Sequence, residues 1–166
     1  MSDVSEQNQV LSQHVREKID DWLSRFPEDQ KQSAVLGALS AVQHEAGYLP
    51  VKQMDAVAEY LCIPSIAVYE VASFYSMFEL KPVGKHTISV CTNLSCMLCG
   101  ADDIVNHLKD KLGVSLGESS TDGKFYLKKE EECLAACCGA PMMQVNHVYH
   151  ENLTIEKVDK ILDELD

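Results

Sequence analysis

Apolar residues recur every three or four positions through the first half of the chain, which is the spacing of one buried face on an α-helix. The first stripe occupies residues 9–26 and stops at Pro27, which can open a new helix because its missing N–H would have no partner there. A second stripe ends at Gly47, a typical C-terminal cap, and a third follows Pro50. The stripe residues are Leu11, Val15, Ile19, Trp22, Leu23 and Phe26 in the first helix, Val35, Leu39, Val42 and Ala46 in the second, and Met54, Val57, Ala58 and Leu61 in the third.

A fourth helix is predicted over residues 66–78, with Ser65 as its N-cap. Its apolar side chains lie nearly all the way round the helix instead of on one face. They are Val68, Val71, Ala72, Phe74, Tyr75, Met77 and Phe78. A helix of this kind is buried on more than one side. We therefore expect it to pack inside its own chain, wedged between the two halves, with contact to a partner protein as the alternative.

The second half of the chain alternates between strand and helix patterns. The predicted elements are a strand over 86–91, a helix that begins within 96–101 and runs to Leu112, a strand over 124–129, a hairpin that turns at Asn146-His147, and a last helix capped by Thr154. With the hairpin counted as one element, the order β-α-β-β-α resembles a reduced thioredoxin-like layer. Residues 81–84 have the composition of a linker. We therefore predict an α+β protein, with a helical bundle over residues 1–80 and an α/β domain over residues 81–166.

Composition narrows the possible partners and the compartment. Lys and Arg number 14 against 26 Asp and Glu, which gives a net charge of −12 over 166 residues. Nucleic acids and anionic membrane surfaces require a basic face, so neither is expected as the main partner. No apolar run reaches the length of a membrane span, so no direct membrane insertion is expected. The polar N-terminus lacks a secretory signal pattern, which predicts a reducing, cytoplasmic setting where cysteines are thiols or metal ligands.

The seven cysteines carry the most informative pattern. They are Cys62, Cys91, Cys96, Cys99, Cys133, Cys137 and Cys138. Cys91 and Cys96 span the end of a predicted strand and the start of a helix, whereas Cys133 and Cys137 lie in a later loop. In an α/β fold both loops can meet at one edge of the sheet. Four thiolates from two supports are what a 2Fe–2S cluster requires, so one such cluster is predicted at Cys91, Cys96, Cys133 and Cys137.

Three alternatives use the same residues. A structural zinc site also takes four thiolates, but its usual ligand pairs are spaced C-x2-C, unlike the spacings here. A thiol oxidoreductase would use Cys96 and Cys99, a C-x-x-C motif at a helix start, with Pro141 in the place of a thioredoxin cis-proline. A small buried apolar role suits Cys62. Cys99 and Cys138 are interpreted as non-ligands that pack nearby.

Several segments carry a resemblance to a known family. They are 47–50 (GYLP), 70–78 (EVASFYSMF), 81–85 (KPVGK), 90–93 (VCTN) followed by Cys96, 122–125 (DGKF), and 132–137 (ECLAAC) followed by 139–142 (GAPM). The chain resembles the small 2Fe–2S subunits of the NADH-dehydrogenase module of respiratory complex I. Loop, spacing and order all agree over nearly the whole chain.

The resemblance implies a thioredoxin-like ferredoxin domain after the helical bundle, with the family's ligands at Cys91, Cys96, Cys133 and Cys137. It implies a non-autonomous subunit of NADH:quinone oxidoreductase, whose cluster exchanges single electrons with the FMN of a partner subunit that also binds NADH. A further iron–sulfur subunit of the peripheral arm would be a second partner, in the cytoplasm against the inner membrane. Equivalent subunits of NAD-linked hydrogenases and formate dehydrogenases remain an alternative.

Overall fold

The computed structural model describes residues 10–129 and 133–165. The chain divides into two compact units, Met1–Pro82 and Val83–Asp166. That these units form separate domains over 1–80 and 81–166 stays a prediction. None of the helices in the described ranges is both long and apolar enough to cross a membrane.

The first unit is helical. It contains α1 (Gln13–Leu23), a 3₁₀ helix (Glu28–Ala34), α2 (Val35–Ala46), α3 (Val51–Leu61) and α4 (Ser65–Phe74). Helix α1 begins after Ser12, whose Oγ accepts a hydrogen bond from the Val15 N–H at 3.1 Å. The predicted start at residue 9 lies outside the described residues. Gly47 ends α2 at φ 78°, which confirms the predicted glycine cap.

The second helix does not open at Pro27 as predicted. A 3₁₀ helix follows this proline and is interrupted at Gln30 (φ −115°, ψ 34°) before α2 begins at Val35. Residues 28–33 are all exposed, so no apolar side chain holds a full α-helical turn against the core. The regular helix therefore starts where the apolar stripe starts.

The core of the first unit is formed by the predicted stripes. Its buried residues are Leu11, Val15, Ile19, Ala34, Val35, Ala38, Leu39, Val42, Leu49, Met54, Val57, Ala58, Leu61, Val68, Ala72 and Phe78. Gly37 lies against the Trp22 ring so closely that an added Cβ would stand 2.4 Å from two ring carbons. A glycine is therefore required where α1 and α2 meet.

Helix α4 differs from the prediction in its ends and in its burial. It begins at Ser65 with Pro64 as N-cap, so the Ser65 side chain makes no capping bond, and it ends at Phe74 instead of residue 78. Only Val68 and Ala72 are buried on it, whereas Phe74 is 80% exposed. The expectation that this helix packs inside its own chain on more than one side is wrong. A second apolar face of α4, which includes Phe74, is exposed to solvent.

The second unit is a mixed sheet with helices. It contains β1 (His86–Val90), α5 (Leu94–Leu98), α6 (Ala101–Leu112), β2 (Glu118–Ser119), β3 (Phe125–Leu127), a 3₁₀ helix (Cys137–Gly139), β4 (Met143–Val145), β5 (Val148–His150) and α7 (Ile155–Asp163). The strand order is β2-β3-β1-β4-β5, in which only β1 and β3 are parallel. The parallel pair is joined by the crossover through α6, as parallel strands require. Strand β2 was not expected from the sequence.

Two turns in this unit position the chain around β1. The predicted hairpin turns at Asn146 (φ 48°) and His147 (φ 71°), and the Asn146 side chain accepts a hydrogen bond from the Thr87 N–H at 3.0 Å. The helix predicted to run to Leu112 is α6, which begins at Ala101 within the predicted range, and Gly100 at φ 90° separates it from α5, a short helix that was not predicted. This break allows α5 to fold beside the end of β1.

Candidate metal centre

Cys91 and Cys96 are held by regular, buried backbone. Cys91 follows β1 directly, and its N–H donates to the Met142 carbonyl at 3.2 Å, which continues the pairing of β1 with β4. Asn93 caps α5 by accepting a hydrogen bond from the Leu94 N–H at 2.8 Å, and this short helix carries Cys96. Cys91 and Cys96 are 2% and 1% exposed. Both thiols are therefore fixed before any ligand binds.

Cys133 and Cys137 come from the loop between β3 and β4. Both are exposed. Ala135 adopts a left-handed conformation (φ 58°), and its N–H donates to Cys133 Sγ at 3.3 Å. Cys137 begins the 3₁₀ helix that precedes β4. This second pair is thus more accessible than the first. Residues 130–132, which include Glu132 of the resemblance, lie outside the described residues.

The two loops bring the four predicted ligands together. Hydrogen bonding with Cys96 and Cys133 contributes to lowering the pKa of the Cys91 thiol. Cys96 interacts electrostatically with both Cys91 and Cys137. Electrostatic interactions thus link the β1–α5 turn to Cys133 and Cys137, the two predicted ligands in the later loop. Cys62 lies in the other unit, where it ends α3 in a left-handed conformation and is exposed, so the buried apolar role expected for it is wrong.

The pKa values of the two buried thiols, Cys91 and Cys96, are shifted in opposite directions. Burial alone would raise the pKa of Cys91, but hydrogen bonds from the backbone N–H groups of Leu134 and Asn93, and from the neighbouring thiols, hold it below its ordinary value. Burial and then the hydrogen bond with Cys91 raise the pKa of Cys96 to about 11, although the Met142 N–H opposes this. Cys91 is therefore the first of this pair to become a thiolate.

The donor set fits a 2Fe–2S cluster. Iron–sulfur clusters take four cysteine thiolates, and hydrogen bonds to the sulfurs help to set their potential. The four predicted ligands influence one another's acidity, and the backbone N–H groups of Leu134, Asn93 and Met142 oppose the effect of burial on the pKa values of the two buried thiols. Within residues 10–129 and 133–165, no three His, Cys, Asp or Glu side chains form a preformed site for a single metal ion. In a 2Fe–2S cluster the four cysteine sulfurs would instead be divided between two irons, so no single ion would need three or four of them.

These backbone donors were missed by sequence reasoning. A backbone N–H carries no side-chain signature, and its direction depends on the path of the loop. One signal was available, since Asn93 stands two residues after Cys91 at a helix N-cap, where free N–H groups collect. No comparable signal marks Leu134 or Met142.

The environment of Cys96 does not suit thiol–disulfide exchange. In such enzymes the first cysteine of C-x-x-C is accessible and its pKa is depressed. Cys96 is buried and its pKa is raised, while the exposed thiol of the motif is Cys99, the C-terminal cap of α5. The thiol oxidoreductase alternative therefore loses its local support.

Comparison with known proteins assigns the class. The family description thioredoxin-like [2Fe-2S] ferredoxin matches residues 19–166. The chain therefore belongs to the thioredoxin-like 2Fe–2S ferredoxin family, and the predicted α+β fold class is confirmed.

Individual relatives are more specific. The E subunit of NADH-quinone oxidoreductase from Rickettsia felis (strain ATCC VR-1525 / URRWXCal2) is 47% identical over 146 residues, 87% of each chain. The E 2 subunit of the same enzyme from Rhizobium meliloti (strain 1021) is 40% identical over 149 residues, 90% of this chain and 87% of that one. The resemblance read from the sequence is thereby confirmed.

A solved structure shares the fold. A chain of the NAD+-reducing [NiFe]-hydrogenase in its H2-reduced state superposes with a TM-score of 0.66 at 20% identity. The match covers 76% of this chain and only 22% of that longer chain. At this identity the likeness concerns the fold alone.

Proposed function

We propose that this chain is the small electron-transfer subunit of an NADH:quinone oxidoreductase, with one 2Fe–2S cluster held by Cys91, Cys96, Cys133 and Cys137. The observation that supports the proposal is the electrostatic interaction among these four thiols, which come from two separate loops. Relatives that are named as E subunits of this enzyme, at 40–47% identity over most of both chains, support the same assignment.

The chain's own residues would each have a defined task. When bound, a 2Fe–2S cluster supplies reversible one-electron exchange. Cys91 and Cys96 hold their sulfurs in fixed, buried positions. The N–H groups of Leu134 and Asn93 place positive dipole ends toward Cys91, which offsets part of the cost of a buried negative charge. Cys133 and Cys137 complete the ligand set from the accessible side.

The partners belong to the same proposal. NADH and FMN would be bound by a larger flavoprotein subunit, and a further iron–sulfur subunit of the peripheral arm would lie nearby. The chain would thus be an oxidoreductase subunit without a complete active site of its own, in the cytoplasm and peripheral to the inner membrane. The subunit names of the relatives support a multi-subunit setting of this kind.

A subunit of an NAD-linked hydrogenase or formate dehydrogenase is the second candidate. It is favoured by one observation, the shared fold with the NAD+-reducing [NiFe]-hydrogenase chain. Higher identity over longer matched lengths favours the quinone-linked enzyme. Purification of the native complex separates the candidates, because a hydrogenase would retain hydrogen-dependent NAD+ reduction and a formate dehydrogenase would retain formate-dependent NAD+ reduction.

An anaerobic redox titration followed by electron paramagnetic resonance tests the cluster assignment. We expect a paramagnetic signal that appears on reduction and accounts for one electron per chain. Cys99→Ser and Cys138→Ser should leave that signal in place, whereas Cys91→Ser should abolish or strongly alter it. A protein that stays silent on reduction, or one in which only Cys99→Ser has an effect, would contradict the proposal.

A further inference from the structure

The 3₁₀ helix that begins at Cys137 is held in place by the segment that follows β5. The Asn152 N–H donates to the Gly139 carbonyl at 2.6 Å. The next residue repeats this pattern, since the Leu153 N–H donates to the Pro141 carbonyl at 2.9 Å. Two consecutive main-chain hydrogen bonds therefore fix this segment against the stretch of chain that leads from the candidate metal centre into β4.

Glu151, the first residue after β5, lays its side chain across Gly139. A Cβ added to Gly139 would stand 2.5 Å from Cδ and Oε2 of Glu151 and 2.6 Å from its Cβ. Gly139 is buried whereas Glu151 is exposed, so this side chain covers the backbone of the 3₁₀ helix and keeps its carboxylate in contact with water. The ammonium group of Lys157 donates to the main-chain carbonyl of Glu151 and so holds the backbone from which the carboxylate projects.

The Glu151 carboxylate lies near the exposed half of the candidate metal centre. Gly139 is two residues after Cys137 in the same three-residue 3₁₀ helix. Successive Cα atoms are about 3.8 Å apart, so the Cα atoms of these two residues are separated by no more than about 8 Å. The Debye length at 0.1 M salt is about 10 Å, so a charge held at Gly139 is only partly screened at Cys137.

A fixed negative charge beside an iron–sulfur cluster opposes the uptake of an electron, and net charge is one of the factors that set the reduction potential. From this placement we infer that the Glu151 carboxylate lowers the reduction potential of the cluster held by Cys137 and its three partner cysteines. Glu151 is not a ligand and acts on the site through its charge. The inference rests on the proposed function and adds a residue that tunes its electron exchange.

The same side chain also fills the space above Gly139, so a purely structural role has to be separated from the electrostatic one. Glutamine keeps the length and shape of the glutamate side chain and removes its charge. Aspartate keeps the charge and shortens the side chain. An electrostatic role therefore predicts an altered potential in Glu151→Gln and a nearly unchanged one in Glu151→Asp, whereas a role in packing predicts the larger effect in Glu151→Asp.

An anaerobic redox titration of the full, cluster-loaded chain with dithionite tests the inference. The midpoint potential is followed by electron paramagnetic resonance in the starting protein, Glu151→Gln, Glu151→Asp and the control Asp110→Asn. Asp110 is exposed on α6, nine residues after Ala101, which packs with Cys96. The control therefore removes the same charge about 14 Å further along that helix, beyond one Debye length.

The expected result for Glu151→Gln is about a threefold larger equilibrium constant for one-electron reduction, a midpoint about 28 mV more positive at 59 mV per tenfold. Glu151→Asp and Asp110→Asn should stay within about 1.5-fold of the starting protein. The difference caused by Glu151→Gln should shrink in 1 M salt, where the Debye length is about 3 Å. Iron content and visible absorption should be the same in all four proteins.

An unchanged potential in Glu151→Gln, or an equal shift in Asp110→Asn, would overturn the inference. So would a shift in Glu151→Asp as large as that in Glu151→Gln, or a shift that 1 M salt leaves unaltered. Loss of iron from Glu151→Gln would also overturn it, because the carboxylate would then be needed to hold the loop. A starting protein without iron and acid-labile sulfide defeats the proposed function itself, so the two failures are distinguishable.

Discussion

Serine replacements at Cys96 and Cys133 should both impair binding of the cluster. They should differ in their effect on the stability of the cluster-free protein. Both substitutions remove a predicted ligand, so both should lower the iron content or shift the absorption of the reconstituted protein. The two sites differ in burial, because Cys96 is 1% exposed and packs with Ala101 and Met142, whereas Cys133 is exposed. The stability of the apoprotein should therefore separate them.

The magnitude follows from the cost of a buried hydroxyl. Placing a hydroxyl in an apolar environment costs about 1–3 kcal/mol in proteins. We therefore expect Cys96→Ser to lower the free energy of unfolding by about 1–3 kcal/mol. Cys133→Ser should stay within about 0.5 kcal/mol, as is usual for an exposed position.

Urea denaturation of the metal-free proteins under reducing conditions, followed by circular dichroism, measures this difference. Cys96→Ala serves as the control, because it removes the sulfur without burying a new polar group. Equal stabilities of Cys96→Ser and Cys133→Ser would refute the reasoning, and so would a larger loss at Cys133. Either result would mean that Cys96 is not buried or that Cys133 is not exposed, in contradiction to the structure.

Three further predictions concern the scaffold. Gly37→Ala should destabilise the protein by about 1–2 kcal/mol, because overpacking against the Trp22 ring outweighs the gain in helix propensity, and should become stabilising in a Trp22→Ala background. Urea denaturation checks this, and the same effect in both backgrounds would contradict it. Phe74→Ser should change the free energy of unfolding by no more than about 0.5 kcal/mol, because the ring is 80% exposed. A much larger loss in the same assay would show that the Phe74 side of α4 packs inside the protein. Asp159 accepts hydrogen bonds from Lys111 at 2.8 Å and from His107, which hold the pKa of its carboxyl below the ordinary range. The stability that this carboxylate adds is present above its unfolded-state pKa and is lost as pH falls through the folded one. Asp159→Asn should therefore be less stable than the parent near neutral pH, a gap that closes in acid, and a gap that persists there in pH-dependent thermal unfolding would contradict the assignment.

The helical unit was largely predictable because its core depends on a repeating pattern. Val15 and Ile19 on α1 and Val57 and Leu61 on α3 are buried at the predicted spacing. The burial predicted for α4 was wrong because it was inferred from the apolar composition of the helix alone. Helix α4 has apolar residues on all sides, and the pattern alone cannot tell a face buried in the chain from one reserved for another protein.

The second unit shows a different limit. Strands β1, β3, β4 and β5 follow their β-branched and apolar residues, but β2 consists of two exposed polar residues that pair with β3 and carry no pattern. Helix α5 is too short to display a period. It is bounded by two local signals, the Asn93 cap and the break at Gly100, which mark the ends of a helix without showing that the residues between them are helical.

The sequence predicted the candidate ligands of the site, but not their burial or the backbone groups around them. Spacing and resemblance indicated Cys91, Cys96, Cys133 and Cys137, and contacts among these four side chains agree with one site. Their ligation stays a prediction. The asymmetry between a buried pair and an exposed pair, and the backbone N–H groups at Cys91, depend on loop paths that a list of residues does not contain.

The most direct test of the account is the iron and acid-labile sulfide content of the full chain after anaerobic reconstitution, measured beside a Cys91→Ser/Cys137→Ser variant and a Cys62→Ser control. The account predicts about two irons and two sulfides per chain in the starting protein and in the control, as a 2Fe–2S cluster requires, with a marked loss in the double variant. Bound zinc without sulfide, or an iron and sulfide content that the double variant retains in full, would contradict it.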